Sequence, residues 1–183
     1  MRSRIMIILA LAMLGIAFIG CNDDDDKNEN TNPVNSGETG GETGGEGTFS
    51  TTITGDLSMN LSLTLSTAVY CYSENWMTVT GDVTIDGTHY SLSIDIASTS
   101  TGTYDVKLVT DTQGNDAYAT FIYINPDGKD MGNFGSTSGS VKVTQVEGSM
   151  KGTFTIKAQN ILTGESITLS NGQFNLPSTN IEE

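Results

Sequence analysis

From Leu57 to Leu65 every second residue is apolar (Leu57, Met59, Leu61, Leu63, Leu65), with Ser, Asn and Thr between. Successive side chains of a strand point to opposite faces, so this period places all five on one side of an extended segment. The same period returns in Tyr90, Leu92, Ile94 and Ile96, in Tyr104, Val106 and Leu108, and in Met150, Gly152, Phe154, Ile156 and Ala158. Beyond Thr48 no apolar run at helical spacing competes with it, so the body of the chain is expected to be nearly all β.

Turn chemistry supplies the connections. Asp86-Gly87, between Ile85 and Thr88, is the strongest two-residue hairpin signal, because both turn positions need positive φ. Glu147-Gly148-Ser149 and Thr163-Gly164 mark further reversals, and Pro126-Asp127-Gly128 opens a glycine- and serine-rich stretch expected to be a loop as far as Gly139. Ile167 and Leu169 are odd-numbered whereas Phe174 and Leu176 are even, so a bulge or tight turn is expected at Asn171-Gly172. Two largely apolar stretches, 68–72 and 117–124, read as central strands covered on both sides. Nine or ten antiparallel strands that each bury one face fit a β-sandwich, with a closed, lipocalin-like antiparallel barrel as the alternative.

The amino terminus reads differently. Arg2 and Arg4 precede fifteen residues without a polar side chain, Ile5 to Ile19, followed by Gly20 and Cys21. As a helix this run spans roughly 22 Å, short of a hydrocarbon core of ~30 Å, which suits an export signal better than a permanent span. Phe18-Ile19-Gly20-Cys21 resembles the bacterial lipobox, although Phe18 stands where Leu is usual. The resemblance implies cleavage after Gly20, loss of residues 1–20, and lipid on Cys21 that holds the chain to a membrane. Cys21 and Cys71 are the only cysteines, so acylation of the first leaves none to pair with the second.

Asn22 and the acidic run Asp23, Asp24, Asp25 and Asp26 follow at once, and resemble the signal that sends lipoproteins of Bacteroidota to the cell surface. The expected location is the outer membrane, facing the exterior, with a periplasm-facing anchor as the alternative. Residues 21–47 then form a linker of Asn, Thr, Glu and Gly, with Gly37-Glu38-Thr39-Gly40 echoed by Gly41-Glu42-Thr43-Gly44. Glycine and like charge favour an extended coil, a tether for a β domain at 48–177, beyond which 178–183 read as a tail. Losing Arg2 and Arg4 with the signal takes the formal charge from −14 to −16. So acidic a chain lacks the lysines and arginines that give nucleic-acid affinity, and no nucleic-acid partner is expected.

Thr101-Gly102-Thr103-Tyr104, Ser138-Gly139-Ser140-Val141, Lys151-Gly152-Thr153-Phe154 and Asn171-Gly172-Gln173-Phe174 occur in this order over roughly 77–177. Together with the lipobox and polar linker, the order resembles an uncharacterised family of Bacteroidota lipoproteins with a terminal β domain. The resemblance implies the location and fold already inferred, and no activity.

Chemistry is sparse. His89 is the only histidine and has no marked nucleophile, so a solvent-facing strand residue is expected. Cys71 reads as a small buried apolar residue. Asp56, Asp82, Asp95, Asp105, Asp111 and Glu165 fall at turns or outward strand positions, where a glycosidase pair is harder to support than solvated surface. Asn125, Asp127, Asp130 and Asn133 carry oxygen ligands, but their spacing does not match a calcium loop. No zinc spacing, phosphate loop or dinucleotide fingerprint occurs, so no metal, cofactor or catalytic residue is assigned and no enzyme is expected.

One constellation suggests binding. If Ser73-Glu74-Asn75 is a three-residue hairpin loop, Cys71 pairs with Met77 and Val69 with Val79 on one face, leaving Tyr70, Tyr72 and Trp76 together on the other. These aromatics are the candidate ligand-binding residues, suited to stacking on sugar rings or anchoring a protein. The expected function is therefore a surface-tethered, non-enzymatic binding or accessory module for glycan or envelope protein. A structural or assembly lipoprotein is the alternative, and a hydrolase the least supported.

Overall fold

The computed structural model describes residues 47–108, 110, 116–128 and 131–181, so the export signal, Cys21, the acidic run and Asp111 lie outside the described residues. Every regular element within them is a strand: β1 (Thr48–Gly55), β2 (Met59–Ser62), β3 (Leu65–Cys71), β4 (Trp76–Ile85), β5 (Thr88–Ile96), β6 (Gly102–Val106), β7 (Asp116–Ile124), β8 (Met131–Gln145), β9 (Ser149–Gln159) and β10 (Ser166–Asn180).

The turns form where their residues demand. Asp86 and Gly87 have φ of 52° and 81°, joining β4 to β5 with Ile85 opposite Thr88. Gly148 and Gly164 take φ of 74° and 80° in the reversals on either side of β9. In the second of these, the Asn160 carboxamide oxygen accepts the N–H groups of Leu162 (3.0 Å) and Thr163 (3.4 Å). The parity slip in β10 is a bulge. Asn171 has φ 50°, and registry with β9 shifts between Leu169 and Gly172 while the strand continues.

Hydrogen-bonded neighbours close into a ring of eight strands, β10-β3-β4-β5-β7-β6-β8-β9, with β9 paired back to β10. On its other edge β10 pairs first with β1, over Ile167–Asn175, and then with β3, over Ser178–Asn180. β2 extends the sheet beyond β1. Phe49 of β1 and Leu63 lie directly over Gly81 of β4, where an added Cβ would fall 2.7 Å and 2.8 Å from their side chains. Layered packing and ring continuity, the two expected solutions, thus occur together. Most pairs are antiparallel, but β10–β3 and β6–β7 are short parallel contacts. The ring closes through residues 178–180, which therefore belong to the domain instead of opening a tail.

The core draws one face from each strand: Met77 and Val79 from β4, Leu92, Ile94 and Ile96 from β5, Phe121 from β7, Phe134 from β8, and Met150, Phe154, Ile156 and Ala158 from β9. The run 57–65 departs from expectation. Leu61 and Leu63 are buried, but the chain leaves β2 at Leu63 and begins β3 at Leu65, which is 73% exposed. Phe49 O accepts the Leu63 N–H and Asp82 O the Thr64 N–H, so a corner between two partners resets the parity. Leu108, beyond the end of β6, is likewise exposed. In β3 Val69 is only partly buried and Tyr72 beyond it is exposed, and in β7 Tyr118, Thr120 and Ile122 are partly buried, so neither stretch is covered on both sides.

The segment expected to be a loop as far as Gly139 is strand from Met131 onward. β8 pairs with β7 over its first five residues and then with β9 and β6, and its glycines allow that change of partner. A Cβ at Gly132 would run into the Tyr123 ring and fall 2.8 Å from Phe134 Cε2. Composition resembled a loop because the strand had to bend and to pass close under aromatic rings.

Candidate binding face

The β3–β4 connection has four residues, Tyr72 to Asn75, with Asn75 at φ 55°. Cys71 therefore opposes Trp76, Tyr70 opposes Met77, and Ala68 opposes Val79. One extra loop residue exchanges the faces of β3 relative to β4. Tyr70 is buried in the core, Tyr72 is exposed, and Trp76 is half-buried on the opposite side of the sheet from Tyr70. The expected three-ring platform is thus corrected: Tyr70 meets the Tyr72 edge at 5.1 Å between centroids, and Trp76 stands apart. The Tyr72 hydroxyl donates to Glu147 Oε1 (2.8 Å), and this bond raises its pKa above the usual phenol range. The Trp76 indole N–H donates to Glu74 Oε2 (3.0 Å). Cys71 is buried, as its sequence context suggested, with Sγ 3.1 Å from Ser73 Oγ.

His89 lies half-exposed on β5, its Nε2 3.3 Å from Asp82 Oδ1. Asp56 accepts the Ser166 N–H (2.7 Å), while Asp105 and Glu165 are exposed. Asp95 differs from the solvated carboxylate expected of it. On the outer face of β5 it lies between Thr78 and Tyr118, and burial pushes its pKa up. Hydrogen bonds from Thr78 Oγ1 (2.6 Å), Ser93 Oγ (3.3 Å) and the Tyr118 phenol oppose that rise. Burial and the neighbouring carboxylate take Tyr118 to about 12. Of the oxygen-bearing residues near the β7–β8 turn, Asn125 Oδ1 accepts from Thr88 (3.2 Å), Asn133 points outward from β8, and Asp130 lies outside the described residues. Among the described residues no three His, Cys, Asp or Glu side chains are grouped to hold a metal.

The structure concentrates polar side chains elsewhere. On the outer face of β8, β9, β10, β1 and β2, strand registry lines up Lys142, Thr153, Gln173, Ser50 and Ser62 in one row. Ser140, Thr155, Thr52 and Asn60 lie in the next, with the Asn171 bulge between Thr155 and Thr52. The bulge divides two shallow depressions that share Asn171 and Gln173. One, about 260 Å³, has Phe154 in its lining with Lys142 and Thr153, and the other, about 320 Å³, is lined by Ser50, Thr52, Asn60 and Ser62. Several of these side chains are held in place: Gln173 Nε2 donates to Ser50 Oγ (3.3 Å) and Thr52 Oγ1 to Asn60 Oδ1 (3.0 Å).

The sequence marked Asn171-Gly172 only as an irregularity. The polar half of the alternation in β9, Lys151, Thr153, Thr155 and Lys157, was the available signal for the face. No family model matches this chain, and searches of curated proteins and of solved structures return no match.

Proposed function

We propose that this is a lipid-anchored envelope protein whose β domain is a non-enzymatic module binding glycan through the outer face of β8, β9, β10, β1 and β2. The observation that carries the reading is the pair of adjoining depressions around Asn171 and Gln173. Sugar hydroxyls are both donors and acceptors, as are the Ser, Thr, Asn and Gln side chains of this face. Side chains already fixed by neighbours lose little freedom on binding. Two adjoining shallow depressions lined mostly by Ser, Thr, Asn and Gln suit a chain of sugars better than a small apolar ligand, for which sites are concave and mostly apolar. Neither depression has an Asp or Glu in its lining, so the face offers no carboxylate pair for hydrolysis, which supports binding. The lipobox at Cys21 and the acidic run Asp23 to Asp26 support an outward-facing tether.

The test uses the full chain in non-ionic detergent on a glycan array, with the variant Thr153→Ala/Gln173→Ala in parallel. Loss of two hydrogen-bonding side chains predicts binding weaker by about 10-fold or more, with an unchanged circular-dichroism spectrum. Unchanged binding by the variant would place the site elsewhere.

A further inference from the structure

Charge is partitioned between the two sides of the ring. Strands β1, β2, β8, β9 and β10 contain Lys142, Lys151 and Lys157 and no Asp or Glu, whereas β4 to β7 contain Asp82, Asp95, Asp105 and Asp116. In a chain with 22 acidic and 8 basic residues, five strands without a carboxylate are a marked departure. The three lysines are also unneutralised. Among the described residues the ion pairs are His89–Asp82 and Lys107–Asp116, and neither involves the β8–β9 lysines.

Their placement follows the face described above. Lys151 and Lys157 share the outer side of β9, six residues or ~20 Å apart, and Lys142 lies between them on β8, opposite Thr153. Hydroxyl and amide side chains fill the rows between. Asp105, paired with Ser140, bounds the strip on the β6 side. A chain lying in the depressions would meet Lys142 in the lining of the first, with Lys151 and Lys157 to either side of it along β9 and hydroxyl and amide side chains beside them.

We infer that the occupant of this face is an anionic glycan, a polysaccharide bearing carboxylate or sulfate groups. Resting on the glycan-binding reading, this inference names its ligand class. Charge complementarity selects it, since Lys142 lines one depression, Lys151 and Lys157 flank it along β9, and the five strands of this face carry no carboxylate. A polyphosphate duplex presents the same sign of charge. It would also meet the acidic rest of the molecule, and it lacks the dense hydroxyls that the Ser, Thr and amide rows complement.

The experiment compares polygalacturonate with its full methyl ester, which keeps the backbone and removes the charge, and with duplex DNA. Each is titrated against the full chain in non-ionic detergent at two salt concentrations. Expected is binding of polygalacturonate that weakens with salt, and markedly weaker binding of the ester. Exposed charge pairs contribute up to about fivefold each, so Lys142→Gln/Lys151→Gln/Lys157→Gln should lose on the order of 10- to 100-fold at unchanged melting temperature. Lys107→Gln, whose ammonium is already paired with Asp116 at 2.8 Å, should lose less than twofold. Equal binding of ester and acid would overturn the anionic inference and leave the glycan reading standing, and absence of binding to both would remove the two together. DNA bound as tightly as polygalacturonate would overturn the glycan as occupant.

Discussion

Strands β9 and β10 lock through a reciprocal exchange of ring and glycine. Phe174 opposes Gly152 and Phe154 opposes Gly172, so each ring lies over the other strand's bare Cα. Phe49 meets both rings edge-on, with centroids at 6.0 Å and 6.4 Å. A Cβ at Gly172 would lie 2.5 Å from Phe154 Cδ2 and Cζ, and its three nearest atoms all belong to that ring. Gly172→Ala is therefore an overpacking change that should cost about 3 kcal/mol, or roughly 10 °C of melting temperature in a domain of this size. Phe154→Ala alone should cost ~3–5 kcal/mol through loss of burial and the cavity left behind. In that background the added methyl meets no ring, so Gly172→Ala should cost less than about 0.5 kcal/mol, a coupling of roughly 2–3 kcal/mol. Gly152 supplies a contrast, because its Cβ would also meet the Lys142 backbone carbonyl, and Phe174→Ala should leave much of the Gly152→Ala cost in place. At Gly135 a Cβ meets nothing within 4 Å, so Gly135→Ala should be neutral or stabilising by up to about 1 kcal/mol. Urea unfolding followed by far-UV circular dichroism measures all of these, and additive costs for Gly172→Ala and Phe154→Ala would refute the interlock.

Asp95 has its pKa raised by burial, so between its unfolded value near 3.8 and its higher folded value the folded chain holds a proton that the unfolded chain has released. Its contribution to stability is greatest at low pH and is lost as pH rises through that window. Relative to Asp95→Asn, the wild type should lose unfolding free energy as pH rises above its unfolded value near 3.8, and parallel pH profiles would refute this. Gly87→Ala should destabilise by about 1–2 kcal/mol in thermal unfolding, because the turn needs φ 81° and the new methyl would meet Pro126 Cγ at 2.8 Å. Cys21→Ser should release the chain from membranes into the soluble fraction, while mass spectrometry of the wild type should show an acylated Cys21 at the amino terminus. An intact Met1 would defeat the lipid-anchor reading.

Local signals carried the parts of the fold that depend on neighbours in the chain. Alternation located β5 and β9, Asp86-Gly87 set its hairpin to the residue, and a parity slip exposed the β10 bulge, because pleat and turn geometry act over a few residues. Registry between distant strands has no such local record. One added residue in the β3–β4 turn moved Tyr70 into the core and dispersed the aromatic cluster, and glycines that resembled a loop proved to be the clearance for rings on the neighbouring strands. The polar rows across β8, β9, β10, β1 and β2 join residues more than a hundred positions apart, such as Ser50 and Gln173. Only strand pairing could bring them together, since the energy that selects such neighbours comes from burying the opposite face of each strand, and no short stretch of sequence contains it.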